Sequence, residues 1–394
     1  MIDFMFHMPT KVIFGSGKLN ELMNPANVPG KKAFIVIGAG GAMIRHSYLN
    51  FVQKMLAHNN IESVVYNKIL ENPILEHVDQ GAEFVRKNEC DFVIGLGGGS
   101  TLDSAKAIAL MATNEGSYWE YIQSGTGGKK PVEHPALPII AIPTTAGTGS
   151  EADPLVVVTK PETNEKAGFK HESLYPKLAI VDPWFTITVP QRLTAFTGMD
   201  AFFHAAEAYI SNQRQPVSDL LAPQSVQLIN TFLPEAVAEG KNIEARTMIS
   251  WAATASGMCL SLSSCLSLHA LEHALSAFYP DLPHGAGLVL LSRAYFRHLA
   301  PHVPDRMIDL AYFMDVDVEA LPEDQRVFAF VNALDGLIQK IGLGDMKLSD
   351  FGVKKEDIPA MAKNALDVTA RLFTCTPAEM TEENVIAIFE ESYA

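Results

Sequence analysis

The sequence predicts a two-part chain: an α/β half on a parallel, doubly wound sheet over residues 1–185, then an all-helical half over residues 186–394. Three observations predict it. Short apolar runs alternate with helical stretches in the first half. Several runs are apolar throughout, as strands are when helices cover both faces of a parallel sheet. After Asp182-Pro183 no segment reads as a strand, and helical segments punctuated by Pro and Gly follow.

The strand candidates are residues 33–37, 63–66, 92–96, 139–142, 155–159 and 178–181. Helical segments at 48–58 and 78–87 lie between the first of them, and strand–helix–strand repetition marks a doubly wound domain. In the second half, residues 192–212, 216–238, 243–279, 285–300, 305–315 and 324–341 read as helices. Residues 247–271 hold no Asp, Glu, Lys or Arg but are heavy in Ser, Thr and Gly, and His269 falls near their end. That composition reads as a buried helical region and not as a membrane span.

At 394 residues the chain can build a core in each half. A net charge of -15 repels nucleic acid and anionic membrane, so neither is an expected partner. Residues 1–10 lack the basic segment of a secretory signal. Cys90, Cys259, Cys265 and Cys375 show no C-x-x-C spacing, which reads as reduced thiols in a cytoplasmic protein.

The chemistry is carried first by residues 91–106. An apolar strand runs into Gly97-Gly98-Gly99-Ser100, and a helix begins there. Glycines admit close approach to the backbone, and the first helical N–H groups and the helix dipole favour an anion such as a pyrophosphate. Asp103 and Lys106 follow in the helix. A second loop, Pro143-Thr144-Thr145-Ala146-Gly147-Thr148-Gly149-Ser150-Glu151, also follows an apolar strand and offers hydroxyls at the end of the sheet where ligands gather. Together the loops predict a dinucleotide-binding domain. Gly38-Ala39-Gly40-Gly41-Ala42-Met43 begins like a dinucleotide fingerprint, but Met43 stands where its last glycine belongs. That loop is placed near the adenosine ribose. No acidic residue ends its strand to hold a ribose 2′-hydroxyl, and Arg45 is placed to meet a 2′-phosphate, which favours NADP(H) over NAD(H).

The second half carries a metal-ligand pattern. Asp200 and His204 are four apart, as are His269 and His273, so each pair shares a helix face. His284 follows Pro283 at the entry to another helix. Imidazoles and a carboxylate suit Fe²⁺ or Zn²⁺. Such an ion is a Lewis acid toward an alcohol or aldehyde oxygen. A rival reading is His269-Ala270-Leu271-Glu272-His273, the H-x-x-E-H signature of some metalloproteases. A protease explains neither the two loops nor Asp200 and His204.

These residues together resemble the iron-containing (group III) alcohol dehydrogenase family over nearly the whole chain. The resemblance runs from residues 9–17 through Gly97–Lys106, Pro143–Glu151 and Gly198–His204 to His269, His273 and Pro283-His284-Gly285. It implies that Asp200, His204, His269 and His284 bind the metal, while His273 sits beside the nicotinamide as the catalytic side chain. It further implies that Gly97, Gly98 and Ser100 hold the pyrophosphate, and that Asp103, Thr144, Thr145 and Thr148 line the cofactor cleft. Gly38 and Gly40 would lie along the adenosine side, and Asn72 and Lys166 would contact the cofactor. The chain departs from the family pattern at Gly38, where many NAD-using members carry an aspartate, and in a His273-to-His284 spacing one residue longer.

The expected function is reversible hydride transfer between a small primary alcohol and NAD(P), with Fe²⁺ or Zn²⁺, in a homodimer or higher homo-oligomer. A dehydroquinate-synthase-like or glycerol-dehydrogenase-like enzyme on the same architecture is the first alternative. A non-catalytic nucleotide-binding metalloprotein is the second.

Overall fold

The computed structural model describes residues 3–393. The first half supplies eight strands: β1 (Lys11–Phe14), β2 (Lys32–Gly38), β3 (Glu62–Ile69), β4 (Phe92–Gly97), β5 (Ile139–Pro143), β6 (Leu155–Lys160), β7 (Glu165–Lys170) and β8 (Leu178–Val181). Its helices are α1 (Ala42–Arg45), α2 (Tyr48–His58), α3 (Leu75–Lys87) and α4 (Gly99–Met111). Six strands form one sheet in the order β1-β8-β5-β4-β2-β3, and every pair is parallel.

Strand alternation builds two cores. Phe34, Val36 and Val93 point to one face and pack with Val78, Ala105 and Ile108 of α3 and α4. Ala33, Ile35, Ile37 and Ile94 point to the other and pack with Val52 and Leu56 of α2. Strands buried on both faces read as unbroken apolar runs, which is why they were legible.

One predicted strand leaves the sheet. Residues 155–159 belong to β6, which pairs antiparallel with β7 in a separate hairpin. Only Val156, Val158 and Thr159 of β6 are fully buried, so the run is largely one-sided and suits a hairpin laid over a helix. Its start is fixed by Asp153, which accepts from the Leu155 N–H at 2.7 Å and from Lys106 Nζ at 3.0 Å.

Eleven helices follow: α5 (Gln191–Ile210), α6 (Pro216–Ala238), α7 (Ile243–Leu262), α8 (Ser267–Phe278), α9 (His284–Leu299), α10 (Pro304–Phe313), α11 (Glu323–Arg326), α12 (Ala329–Lys340), α13 (Ile358–Val368), α14 (Ala370–Cys375) and α15 (Glu382–Tyr393). They enclose a third core in which α5, α8 and α9 are buried almost throughout. Among the described residues no strand lies beyond Val181.

The predicted helix 243–279 is two helices, bent by 104° between α7 and α8. No Pro or Gly marks the break; tertiary hydrogen bonds make it. Ser263 Oγ donates to the Ala208 carbonyl at 3.1 Å, and Thr376 Oγ1 accepts from the Ser267 N–H at 3.0 Å, meeting a free donor of the new helix. No single helix among the described residues is long and apolar enough to cross a membrane.

Candidate active site

The cleft forms where strands of the sheet end. β2, β4 and β5 are neighbours, and their C-terminal loops hold Gly38–Gly41, Gly97–Ser100 and Thr144–Thr148. This is the crevice in which open α/β sheets bind ligands. The first two strands place the glycine loops, and Thr144 N donates to the Gly97 carbonyl at 2.9 Å, locking the third loop against the second. α4 starts at Gly99 with no side-chain cap, so its first N–H groups face the cleft. A Cβ at Gly99 would collide with Thr148; glycine there is what lets the two loops meet.

One cleft of about 1550 Å³ collects every predicted site residue. It is lined by Gly38, Gly40, Asn72, Gly97, Gly98, Ser100, Asp103, Thr144, Thr145, Thr148, Lys166 and His273, and by Asp200, His204, His269 and His284. That volume exceeds a drug-sized pocket and leaves room for a dinucleotide with a small substrate.

The predicted ligands converge. Asp200 Oδ1 lies 3.5 Å from His204 Nε2, 3.6 Å from His269 Nε2 and 3.6 Å from His284 Nε2. The three rings come from α5, α8 and α9, the helices that form the centre of the third core. Asp200 Oδ1 and His269 Nε2 are buried with no hydrogen-bond partner. Buried polar atoms are rarely left so, and a divalent cation is the group that would satisfy all four at once. The donor set and its orphaned atoms fit Fe²⁺ or Zn²⁺. Burial alone would raise the Asp200 carboxyl, but His204, His269 and His284 outweigh it and hold it below its ordinary value.

Each of two ligands is aimed by a carboxylate. Glu207 binds His269 Nδ1, and Glu272 binds His284 Nδ1, which leaves each Nε2 turned to Asp200. Carboxylate–histidine pairs of this kind fix the ring and its tautomer. Glu272 is fully buried and also faces Lys166 Nζ at 3.4 Å. Burial pushes its carboxyl up, but His284 and Lys166 prevail and bring it to about 2.

Two predicted cofactor contacts, Lys166 and Asn72, also bond to protein groups in the cleft. Lys166 Nζ reaches Ser276 Oγ at 2.8 Å and Asn72 Oδ1 at 3.2 Å, so its charge is directed to protein groups behind His284. Asn72 Nδ2 donates to the Pro280 carbonyl at 2.9 Å and ties the α/β half to the loop before His284. The hydroxyl of Ser100 binds the Glu71 carbonyl, and Asp103 accepts from Ser150 Oγ at 2.6 Å and from Val157 N at 2.9 Å. These hydrogen bonds tie the loops together at the cleft wall.

His273 is not among the rings that face Asp200. It lies on the cleft wall with its centroid 5.7 Å from that of His284, and its Nδ1 has no partner. Burial, then Lys166, hold its imidazole well below the ordinary value. In a protease of the H-x-x-E-H type His273 would join His269 on the metal and Glu272 would face water. Here Glu272 is buried against His284 and Lys166, so the protease arrangement is absent.

Sequence reasoning did not reach Glu207, the orienting role of Glu272, or Cys265, which lies beside His204 and His269. Glu207 is a second carboxylate, after Asp200, in an apolar helix, and a buried charge needs a partner.

Four convergent donors of the kind that bind a divalent ion, in one cleft with glycine and threonine loops at the end of a parallel sheet, fit the class of metal- and dinucleotide-dependent oxidoreductases. Comparison with known proteins narrows this. Residues 9–183 match the family described as iron-containing alcohol dehydrogenase, and residues 194–393 match the C-terminal part of the Fe-containing alcohol dehydrogenase family. The chain is 34% identical to alcohol dehydrogenase 4 of Saccharomyces cerevisiae, covering 98% of each chain. It is 34% identical to a 1,3-propanediol dehydrogenase of Klebsiella pneumoniae, covering 100% of this chain and 99% of the relative. An NAD-dependent methanol dehydrogenase of Bacillus methanolicus is 31% identical over 92% of this chain and 93% of its own length. The crystal structure of an archaeal halo-thermophilic Red Sea brine pool alcohol dehydrogenase superposes with a TM-score of 0.94 at 33% identity, covering 100% of this chain and 99% of the other. The chain belongs to the iron-containing alcohol dehydrogenase family and is an oxidoreductase of the alcohol dehydrogenase type.

Proposed function

We propose that this chain interconverts a small primary alcohol and its aldehyde with a nicotinamide dinucleotide, at a single divalent ion held by Asp200, His204, His269 and His284. The observation that carries the reading is the approach of three imidazole Nε2 atoms to within 3.5–3.6 Å of one carboxylate oxygen, in the same cleft as the glycine loops. A bound Fe²⁺ or Zn²⁺ supplies Lewis acidity toward the alcohol or aldehyde oxygen.

The chain's own groups do the rest. The open start of α4, with Gly97, Gly98 and Ser100, holds the pyrophosphate. Thr144, Thr145 and Thr148 position the dinucleotide along the second loop. His273, kept neutral by its burial, orders the nicotinamide or relays a proton at Nδ1. Leu193, Phe196 and Leu260 give the substrate end of the cleft apolar walls that exclude water and suit an unbranched carbon chain.

NAD(H) is the cofactor of this reading, in line with the relative named as NAD-dependent. The lean toward NADP(H) draws no support from the relatives. Arg45, the residue that would meet a 2′-phosphate, donates to the Gly40 carbonyl. Division into domains at 185/186, a cytoplasmic location compatible with four free thiols, and assembly as a homodimer or larger homo-oligomer belong to the same reading.

The test is a panel of aldehydes with NADH and NADPH on protein reconstituted with Fe²⁺ or Zn²⁺. Oxidation of NADH by short aldehydes is expected. Failure of every aldehyde with either cofactor and either metal would sink the reading.

A further inference from the structure

Alternate side chains of β7 face two sides. Ala167 and Phe169 turn into the core under α3 and α4, while Lys166, Gly168 and Lys170 line the cleft. Lys166 marks the end beside the proposed metal ligands, where its Nζ lies 3.5 Å from His284 Nδ1. Lys170 is four residues further on, about 13 Å at the rise of a strand. Gly168 leaves the floor between them bare, since a Cβ there would meet nothing within 4 Å. Lys170 Nζ donates to the Ser261 carbonyl at 3.0 Å, next to Leu260 of the apolar wall.

Arg371 lines the same cleft from α14, which packs on α8, the helix of His269 and His273. Lys170 and Arg371 both reach solvent at the cleft mouth. Partial burial, then the Arg371 guanidinium, hold the Lys170 ammonium below its ordinary value. Asp153, whose charge opposes that shift, is already bonded to Lys106. Asp367 lines the cleft too, but among the described residues neither cation has a carboxylate within 4.0 Å. Two cations without a counter-charge, held near each other in a chain of net charge -15, make a local attractor for an anion.

We propose that Lys170 and Arg371 bind an anionic group at the far end of the substrate, so that the chain acts on straight-chain hydroxy acids and their aldehydes, with a carboxylate opposite the reacting carbon. The proposal rests on the hydride-transfer reading above and names its substrate class. The carbon chain runs along Leu260 and over Gly168, and the carboxylate sits between the two cations. A guanidinium takes a carboxylate in two parallel hydrogen bonds, and an ammonium adds a point charge. The cofactor pyrophosphate is the other anion of this cleft. Its place is the start of α4, after β4, whereas these cations come from β7 and α14, both packed on α8.

The first measurement titrates 4-hydroxybutanoate, and separately butan-1-ol, into full-length protein holding NAD⁺, by calorimetry and without turnover. Wild type is expected to bind the hydroxy acid about tenfold tighter than the alcohol or better, and Lys170→Met and Arg371→Met should each remove about tenfold of that affinity. The second compares kcat/KM for 4-oxobutanoate and butanal on metal-loaded protein, each reduction taking one hydride from NADH and one proton from solvent. The ratio should favour the carboxylate in wild type, fall in both variants, and fall further in Arg371→Glu, which lost packing alone would not produce. The proposal is overturned if wild type binds or reduces the two compounds of each pair equally, or if the variants keep the wild-type preference. A raised KM for NADH with the preference intact assigns the cations to a cofactor phosphate and also overturns it. Charge-dependent binding with no reduction of either aldehyde leaves the anion site standing and sinks the hydride-transfer reading instead.

Discussion

Lys166 and Glu272 form a buried ion pair, Nζ to Oε2 at 3.4 Å, across the seam between the β6–β7 hairpin and α8. Glu272 also holds His284 Nδ1. The pair therefore connects the α/β half to the aim of one proposed ligand. Lys166→Met should leave Glu272 with His284 as its remaining partner and cost about 1–3 kcal/mol of stability. It should also weaken metal binding, as loss of an orienting partner does, by about 10–100-fold. Urea denaturation and competitive metal titration measure the two effects. An unchanged metal affinity with a raised KM for NADH would instead make Lys166 the cofactor contact that the sequence suggested.

Glu207 is the other orienting carboxylate. Glu207→Gln keeps the shape but removes the charge that fixes the His269 tautomer. Metal affinity is expected to fall about 10–100-fold, with NADH affinity within about twofold of wild type in the metal-free protein. Equal losses of metal and NADH affinity would show general misfolding and not a local effect on His269.

Asp103 gives the pH dependence. Burial raises its carboxyl to about 6 against the partial opposition of Lys106. The folded state then binds the proton more tightly than the unfolded state, whose carboxyl stays near 3.8. The stabilisation from the protonated form is present below that value and is lost as pH rises through about 6. A shift of this size corresponds to at most about 3 kcal/mol. Asp103→Asn cannot titrate, so its stability relative to wild type should rise between about pH 4 and pH 6–7. Denaturant midpoints of the two proteins that differ by a constant amount across this range would remove Asp103 from the account.

Gly257 of α7 packs directly on Gly149, which has φ +65° at the end of the threonine loop. A Cβ at 257 would meet backbone atoms of Gly149, which cannot rotate away. Gly257→Ala should cost about 1–3 kcal/mol and displace Thr148, raising KM for the dinucleotide. Crystallography or hydrogen exchange at residues 147–151 checks the displacement. Wild-type exchange there would contradict it.

Much of the site was legible because its chemistry repeats at helical spacing. Asp200 with His204, and His284 after Pro283, stand out in apolar helices, and the glycine loops follow apolar strands. What was not legible depends on contacts distant in sequence. The α7–α8 break has no Pro or Gly and is set by Ala208 and Thr376. β7 carries Glu165, Lys166 and Gly168 within six residues and shows no apolar run, so the hairpin that positions Lys166 was hidden. Lys166 itself could be placed near the cleft, but its partners Glu272 and Ser276 are more than a hundred residues away.

The central claim is that Asp200, His204, His269 and His284 hold one ion on which hydride transfer depends. The most direct measurement is titration of metal-free protein with Fe²⁺ or Zn²⁺ while following aldehyde-dependent NADH oxidation, for wild type and His269→Ala. Wild-type activity should rise from near zero and level off at about one ion per chain, with His269→Ala inactive yet still binding NADH. Full turnover in the metal-free protein, or a His269→Ala variant that matches wild type, would contradict it.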